Sequence, residues 1–467
     1  MTADQVAALG PAFTEFLGCL RPCFVTKNTF AHLGTYCRGL LSDLVRKSVE
    51  PIALAAGCAV RTLQEFLTHH AWDQDAMLAR LQRRVVTRHL PAPGQAPADE
   101  LGVVGLIDET SAPKKGDKTP GVQRQYCGAR GKVDNCLVTV HLAVKYDQFL
   151  AVLDSDLFLP EGSWDLDRER CRKAHIPDDV TYRPKWLIAL EQLDRAAANG
   201  VRFDWLTFDE GYGGKPEFLS LLEGRGLHYV AEVPANFRCW PTMPKYHSLQ
   251  APFASKRVDN ASTWGKPFLR QDWQTFRLTR QTLPPQTWKV KAAQVYLPRQ
   301  DRDEPGGPGQ PTDRTYWLIT AHNVTTGEVK YFVSNAPPRT ALKTLLKVAF
   351  CRWNVEHAFR LAKSEVGFAH FEGRSWRGLL RHMILCQAVM LFVAEQTTRL
   401  RGEKPGDGTD DGADRPSLEH RLPALAGAAP QVLGPGTRRL GHRVPPTPQP
   451  RRQEIPAPIR STTDLAL

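Results

Sequence analysis

Long apolar runs are missing from this chain. No stretch of about 18 uninterrupted apolar residues occurs, so no membrane span is expected. The opening MTADQVAALGPAF has no basic segment leading into an apolar core, so no secretory signal is expected. Repeated CxxC spacing is absent too. The ten cysteines are scattered, and the closest pair, Cys19 and Cys23, has no neighbouring His cluster to complete a zinc site. They read as core or incidental thiols of a reducing cytosol. No internal repeat is evident.

What the chain does have is positive charge. Over 467 residues the formal net charge is +12, with a pI near 9.3. That balance favours a polyanionic partner, nucleic acid first. Hydrophobic residues make up 42%, enough for a real core, and the length predicts two or more domains.

Residues 1–100 read as a helical N-terminal domain, with apolar residues at three- and four-residue spacing. The piece VEPIALAAGCAVRTLQEFLTHH predicts two short helices around Gly57 and Cys58. It fits a DNA-binding helix-turn-helix or the tight corner of a bundle equally well. HLPAPGQAPADE reads as a linker. Over 101–235 the pattern is three strands, a helix (PKWLIALEQLDRAAANG), a strand (WLTFD), a helix (PEFLSLLEGRG) and a strand (LHYVAEVP). The fold class is therefore α/β, with an order matching a ribonuclease H-like catalytic core. Residues 236–336 read as a β-rich insertion, with NVTTGE as a hairpin turn. Residues 337–398 supply the closing helical part, including one long helix over TALKTLLKVAFCRWNVEHAFRLAKSEVGF. Residues 399–467 are rich in Pro, Gly, Ala and Arg, and read as a disordered tail.

Two acids stand where apolar strands end: Asp108 after VVGLI and Asp209 after WLTF. Carboxylates held close repel unless a cation or proton lies between them, and a divalent metal is the usual resolution. Two such ions would activate a water or a 3′-hydroxyl and stabilise the leaving oxygen of a phosphodiester. A third acid is needed. On the late helix Arg352, Glu356 and Lys363 lie four and seven residues apart, within roughly 40° of one another on one stripe. Alone, that row is an ordinary salt-bridge ladder. With two strand-end aspartates upstream, Glu356 reads as the third ligand, and the two cations as holders of substrate phosphates. Glu365 and Glu372 are its rivals. Glu109 and Glu210 alternate away from the site. Gly211 to Gly214 could cradle a phosphate or simply turn the chain. His357 and Trp353 offer acid-base and stacking chemistry of lesser weight.

After Asp108 comes a loop crowded with Lys114, Lys115, Lys118, Arg124, Arg130 and Lys132. Such cations can lie along a DNA backbone near the scissile phosphate, positioning the duplex without reading its sequence. The roles of Gln125 and Tyr126 stay open.

These blocks carry a resemblance. IDETSAPKKGDKTPGVQRQYCGARGKVDNC, FDEGYGG and RWNVEHAFRLAKSEVGFAHFEGRSWRGLLRH together resemble a DDE transposase of bacterial insertion sequences. The nearer likeness is to the branch marked by Tyr-x2-Arg-x3-Glu-x6-Lys around the third acid. Arg352, Glu356 and Lys363 fit three of its positions, and Ala349 stands at the tyrosine position. The resemblance implies a catalytic and metal-binding triad of Asp108, Asp209 and Glu356, using two Mg2+ or Mn2+ ions. It implies binding of terminal inverted repeats, cleavage of the element ends and joining of 3′-OH ends to target DNA. It further implies double-stranded DNA as partner, a homodimer in a synaptic complex, and a cytoplasmic, nucleoid-associated bacterial protein. A catalytically silent DNA-binding regulator and a standalone nuclease are the alternatives.

Overall fold

The computed structural model describes residues 3–92, 101–243, 256–258, 272–278, 286–298 and 311–402, without the side chains of 3, 6, 256, 257, 354–358 and 402. The tail from 403 and the linker over 93–100 lie outside the described residues.

The N-terminal region is helical, as the spacing predicts. Helix Lys27–Leu41 begins at Thr26, whose hydroxyl oxygen accepts from the Thr29 amide at 3.1 Å. Leu33, Tyr36, Cys37 and Leu40 recur on one face and are fully buried. Two short helices, Val49–Ala55 and Val60–Thr68, flank Gly57, which turns the chain at φ +66°. Helix Gln74–His89 is capped by Asp73, which accepts from the Asp75 and Ala76 amides.

These helices share a hydrophobic cluster with the sheet and with the last helix, Trp376–Gly402. Phe13 and Phe16 pack on Phe392 at centroid distances of 4.8 and 5.5 Å. Arg84 grips Glu395 through two bonds of 2.6 and 2.8 Å. The Gln82 amide donates to the Leu153 carbonyl at 3.0 Å. Residues 3–92 and the sheet thus belong to one compact unit. The last helix is long and apolar enough to cross a membrane by composition alone. However, 83% of that window is buried within the protein, so it is a core helix. It runs through Gly402, past the boundary at 399 expected for the tail.

The strands are β1 (Val104–Pro113), β2 (Gln123–Cys127), β3 (Lys132–Tyr146), β4 (Phe149–Leu157), β5 (Trp205–Phe208) and β6 (Tyr229–Val233). Next come β7 (Arg238–Cys239) and β8 (Lys256–Arg257), which pair with each other apart from the main sheet. Last are β9 (Gln274–Leu278), β10 (Gln286–Val295), β11 (Tyr316–Asn323) and β12 (Val329–Ser334). Among the described residues one mixed sheet runs β2-β3-β1-β5-β6-β12-β11-β10-β9, with β4 also paired to β3. β3 lies antiparallel to β1, whereas β5 and β6 continue parallel to β1. The parallel pairs require crossovers. Helix Lys185–Ala198 precedes β5, and helix Pro216–Gly224 links β5 to β6.

The β-rich block was expected as an insertion. In sequence it is one, but β12 pairs antiparallel with β6, so β9 to β12 extend the same sheet, and among the described strands only β7 and β8 stand apart. Its hairpin turn is held by Asn323, whose side-chain oxygen accepts from the Thr325 and Thr326 amides. The single long helix expected over 340–368 is instead two helices, Leu342–Cys351 and Trp353–Ser364. The interruption falls on Arg352, although its backbone stays near helical angles (φ −54°, ψ −34°). Phe350 and Trp353, on either side of it, pack on each other and on Trp288. Gly367, at φ +75°, then turns the chain.

Candidate active site

Register sets the site. Ile107 pairs with Phe208 across β1 and β5, and Phe208 with Ala231 across β5 and β6. The next residue on each strand is an acid: Asp108, Asp209 and Glu232. Neighbouring strands lie about 4.8 Å apart. Three carboxylate-bearing residues therefore sit level across three adjacent parallel strands, where β5 ends; β1 itself runs on to Pro113 along β3, so Asp108 lies mid-strand and not at the strand end that its apolar run predicts. Apolar runs revealed the first two. Glu232 was missed because it lies one residue before its strand ends, but an acid inside LHYVAEVP was a signal.

The two aspartates are held differently. Asp209 starts the turn after β5, and its side chain accepts from the Gly211 amide at 3.0 Å. Gly213 must be glycine: a Cβ there would lie 1.9 Å from the Glu232 carbonyl oxygen. The glycine run therefore turns the chain against β6. Asp108 is buried, at 7% exposure. One oxygen accepts from the Glu109 amide at 2.7 Å, the other from the Arg352 guanidinium at 3.1 Å. Arg352 also reaches Glu232 at 3.5 Å, and Glu232 accepts from Lys330 at 2.5 Å. A chain of alternating charge thus crosses β1, the helix junction, β6 and β12. Beside it Tyr212 is buried, with no hydrogen-bond partner for its hydroxyl. Burial first, then the charges of Glu109, Asp209 and Asp108, hold its phenol well above the ordinary range.

Glu356 lies on helix Trp353–Ser364, and its side chain is outside the described residues. So is that of His357. The helical segment is bracketed by residues that act on Asp108. Arg352 bonds to it directly. Lys363 is pushed down by burial, and the charges of Cys127 and Asp108 oppose that shift. Among the described residues no three His, Cys, Asp or Glu side chains group as metal ligands. The other acids are engaged elsewhere. Glu372 pairs with Arg46 and accepts from the Ser48 hydroxyl. Glu109 pairs with Lys185 at 2.7 Å. Glu210 is exposed.

The loop cations divide. Lys115, Lys118, Arg124 and Lys132 are exposed on or beside the β2–β3 hairpin. Arg130 is also exposed and pairs with Asp134 at 2.6 Å. Lys114 corrects the expectation that grouped it with them. Its ammonium turns inward and donates to the carbonyls of Ala369 (3.1 Å) and Phe371. Both carbonyls lie in the segment after helix Trp353–Ser364. Burial lowers Lys114 to about 8. Arg352 and Lys363 are likewise half-buried around Asp108 rather than displayed. Gln125 donates to the Cys136 carbonyl, whereas Tyr126 is 63% exposed.

Comparison with known proteins meets this geometry. A curated protein of Microchaete diplosiphon, named "Probable transposase for insertion sequence element IS701", is 25% identical over 338 residues, covering 71% of this chain and 74% of that one. Among solved structures, the piggyBac transposase synaptic complex with hairpin DNA aligns at a TM-score of 0.39 and 10% identity, covering 86% of this chain and 70% of that chain. The family model described as "DDE superfamily endonuclease" matches residues 19–292, which hold both strand-end aspartates and stop short of Glu356. With more than half of its length matched, the chain belongs to the DDE superfamily endonucleases.

Proposed function

We propose that the protein is an insertion-sequence transposase with a ribonuclease H-like core, whose metal-binding acids are Asp108, Asp209 and Glu356. The single observation that carries this reading is the register that makes Asp108 and Asp209 neighbours, each directly after the last β1–β5 pair, Ile107 with Phe208. The β4-β3-β1-β5-β6 order, with β3 antiparallel, supports the core. The IS701 likeness supports the activity.

The residues fit a divalent metal. The donors are all carboxylate oxygens, which suit Mg2+ or Mn2+. The need for positive charge at Asp108 is visible in the Arg352 guanidinium lying on it. Asp108, Asp209 and Glu356 would hold two ions, which when bound activate a water or 3′-hydroxyl and stabilise the leaving oxygen. The chain's own groups prepare this. The Gly211 amide fixes one Asp209 oxygen and so orients the other. Tyr212 keeps a neutral hydroxyl beside the acids at working pH. Arg352 and Lys363 balance the carboxylate charge around Asp108. Lys115, Lys118, Arg124, Arg130 and Lys132 follow the DNA backbone on the exposed hairpin.

The test is incubation of the purified protein with labelled duplexes carrying the element ends, in Mg2+. Cleavage at the element boundary is the expected result. Tight binding without cutting would mean a silent regulator. Cutting that ignores the ends would mean a general nuclease.

A further inference from the structure

Away from the acids, the start of helix Trp376–Gly402 carries two arginines one turn apart, Arg377 and Arg381. Arg381 is only 5% exposed. Its guanidinium lies 4.3 Å over the Trp72 ring and donates to the His70 (2.9 Å) and Trp72 (2.8 Å) carbonyls, with longer contacts to Phe66 and Leu67. Its Nε has no partner, and among the described residues neither arginine has an ion pair with an acid. Burial and the charge of Arg377 pull Arg381 down to about 10. Like charges one turn apart on a helix destabilise each other. Buried charge without a counter-charge is costlier still.

Both arginines line an open cleft of about 690 Å³ between the 69–75 corner and the last helix. A contiguous cavity of about 390 Å³ shares His69, Gln74 and Arg377 with it, and adds His175 and Ser375. Two more buried polar atoms lacking partners gather there, His70 Nδ1 and Gln74 Oε1. The wider cleft has Asp73 and Asp75 on its rim, with Asp73 already spent on capping the next helix. The smaller cavity has no carboxylate in its lining.

We propose that this cleft is a second DNA contact, taking a backbone phosphate on Arg377 with His69 and His175 beside it and the fixed charge of Arg381 behind. A phosphodiester oxygen would accept from the exposed Arg377 guanidinium, while Arg381, whose terminal nitrogens already donate to carbonyls, adds only its charge. The inference rests on DNA being the substrate, as proposed above. In the simpler alternative, Arg381 only caps the carbonyls ending helix Val60–Thr68, and Arg377 is an idle surface charge.

The experiment uses the full chain in EDTA, so that cutting plays no part. Binding of a labelled duplex is measured across a salt series for wild type, Arg377→Ala and Arg377→Lys. A lost phosphate contact should weaken binding about tenfold at low salt. It should also make the log-log salt dependence shallower by about 0.9. Arg377→Lys should keep the wild-type slope, and neither variant should lower the thermal midpoint, because Arg377 is exposed and its charge only repels Arg381. If Arg377→Ala matches wild type in affinity and slope, the cleft is not a DNA contact. The same conclusion follows if only stabilisation by inorganic phosphate is lost, which would make it a free-phosphate site. Wild type failing to bind the duplex at all would instead sink the reading of DNA as substrate.

Discussion

Lys114 and Lys115 are adjacent, yet they belong to two regions with opposite uses for a cation. Lys115 opens an exposed stretch with Lys118, Arg124 and Lys132, all toward solvent. Lys114 belongs to an inward-turned set that grips the turn after helix Trp353–Ser364. Lys47, 5% exposed, reaches the same turn from the N-terminal helices, donating to the carbonyls of Leu40 (2.9 Å) and Glu365. Its own amide donates to His370 Nδ1 at 3.0 Å. Arg352 does comparable work at Asp108. The difference teaches that charge count locates a polyanion partner only after the inward cations are subtracted. These fix the acid-bearing elements to one another, and on the proposed reading the outward ones are left for phosphate.

Substitutions can break that contrast. The largest effect on stability should come from Arg352→Ala, which strips Asp108 and Glu232 of a shared cation. Removing one member of a buried pair costs about 3 kcal/mol, and chemical denaturation would read it. Lys47→Met should cost roughly 2 kcal/mol, because two inward carbonyls lose their donor. A smaller shift across the same kind of midpoint separates Lys114 by pH. It sits near 8 in the fold against an ordinary 10.5. Between those values the unfolded chain holds more protons, so stability rises with pH. The burden of burying the charge is full below 8 and relieved by 10.5. Lys114→Met lacks this gain, so it should fall further behind wild type as pH climbs through the window. Lys115→Ala and Lys118→Ala should leave stability within about 0.5 kcal/mol. Each should still lower the slope of DNA affinity against salt by about 0.9. Loss of folding in these two variants would erase the distinction between the regions.

Much of this architecture is legible in the sequence. Strand-length apolar runs marked β1 and β5, because a buried parallel strand needs an unbroken apolar stretch, although β1 runs five residues past Asp108 to Pro113. Helix Lys185–Ala198 was legible from its amphipathic spacing. What stayed hidden depends on partners distant in sequence. Lys114 looked like its neighbours because its acceptors lie 255 and 257 residues away. The Arg352–Asp108 bond spans 244 residues. Glu232 gained meaning only from register, and the β-rich block joined the core sheet only through the β12–β6 pairing.

The most direct measurement compares Asp108→Asn, Asp209→Asn and Glu356→Gln for Mg2+-dependent cutting and for metal-free binding of the same end duplex. All three amides should bind like wild type and fail to cut, since on the proposed reading each substitution removes a metal-binding oxygen and spares the backbone contacts. Wild-type cutting by any one of them would remove that residue from the metal site and contradict the account.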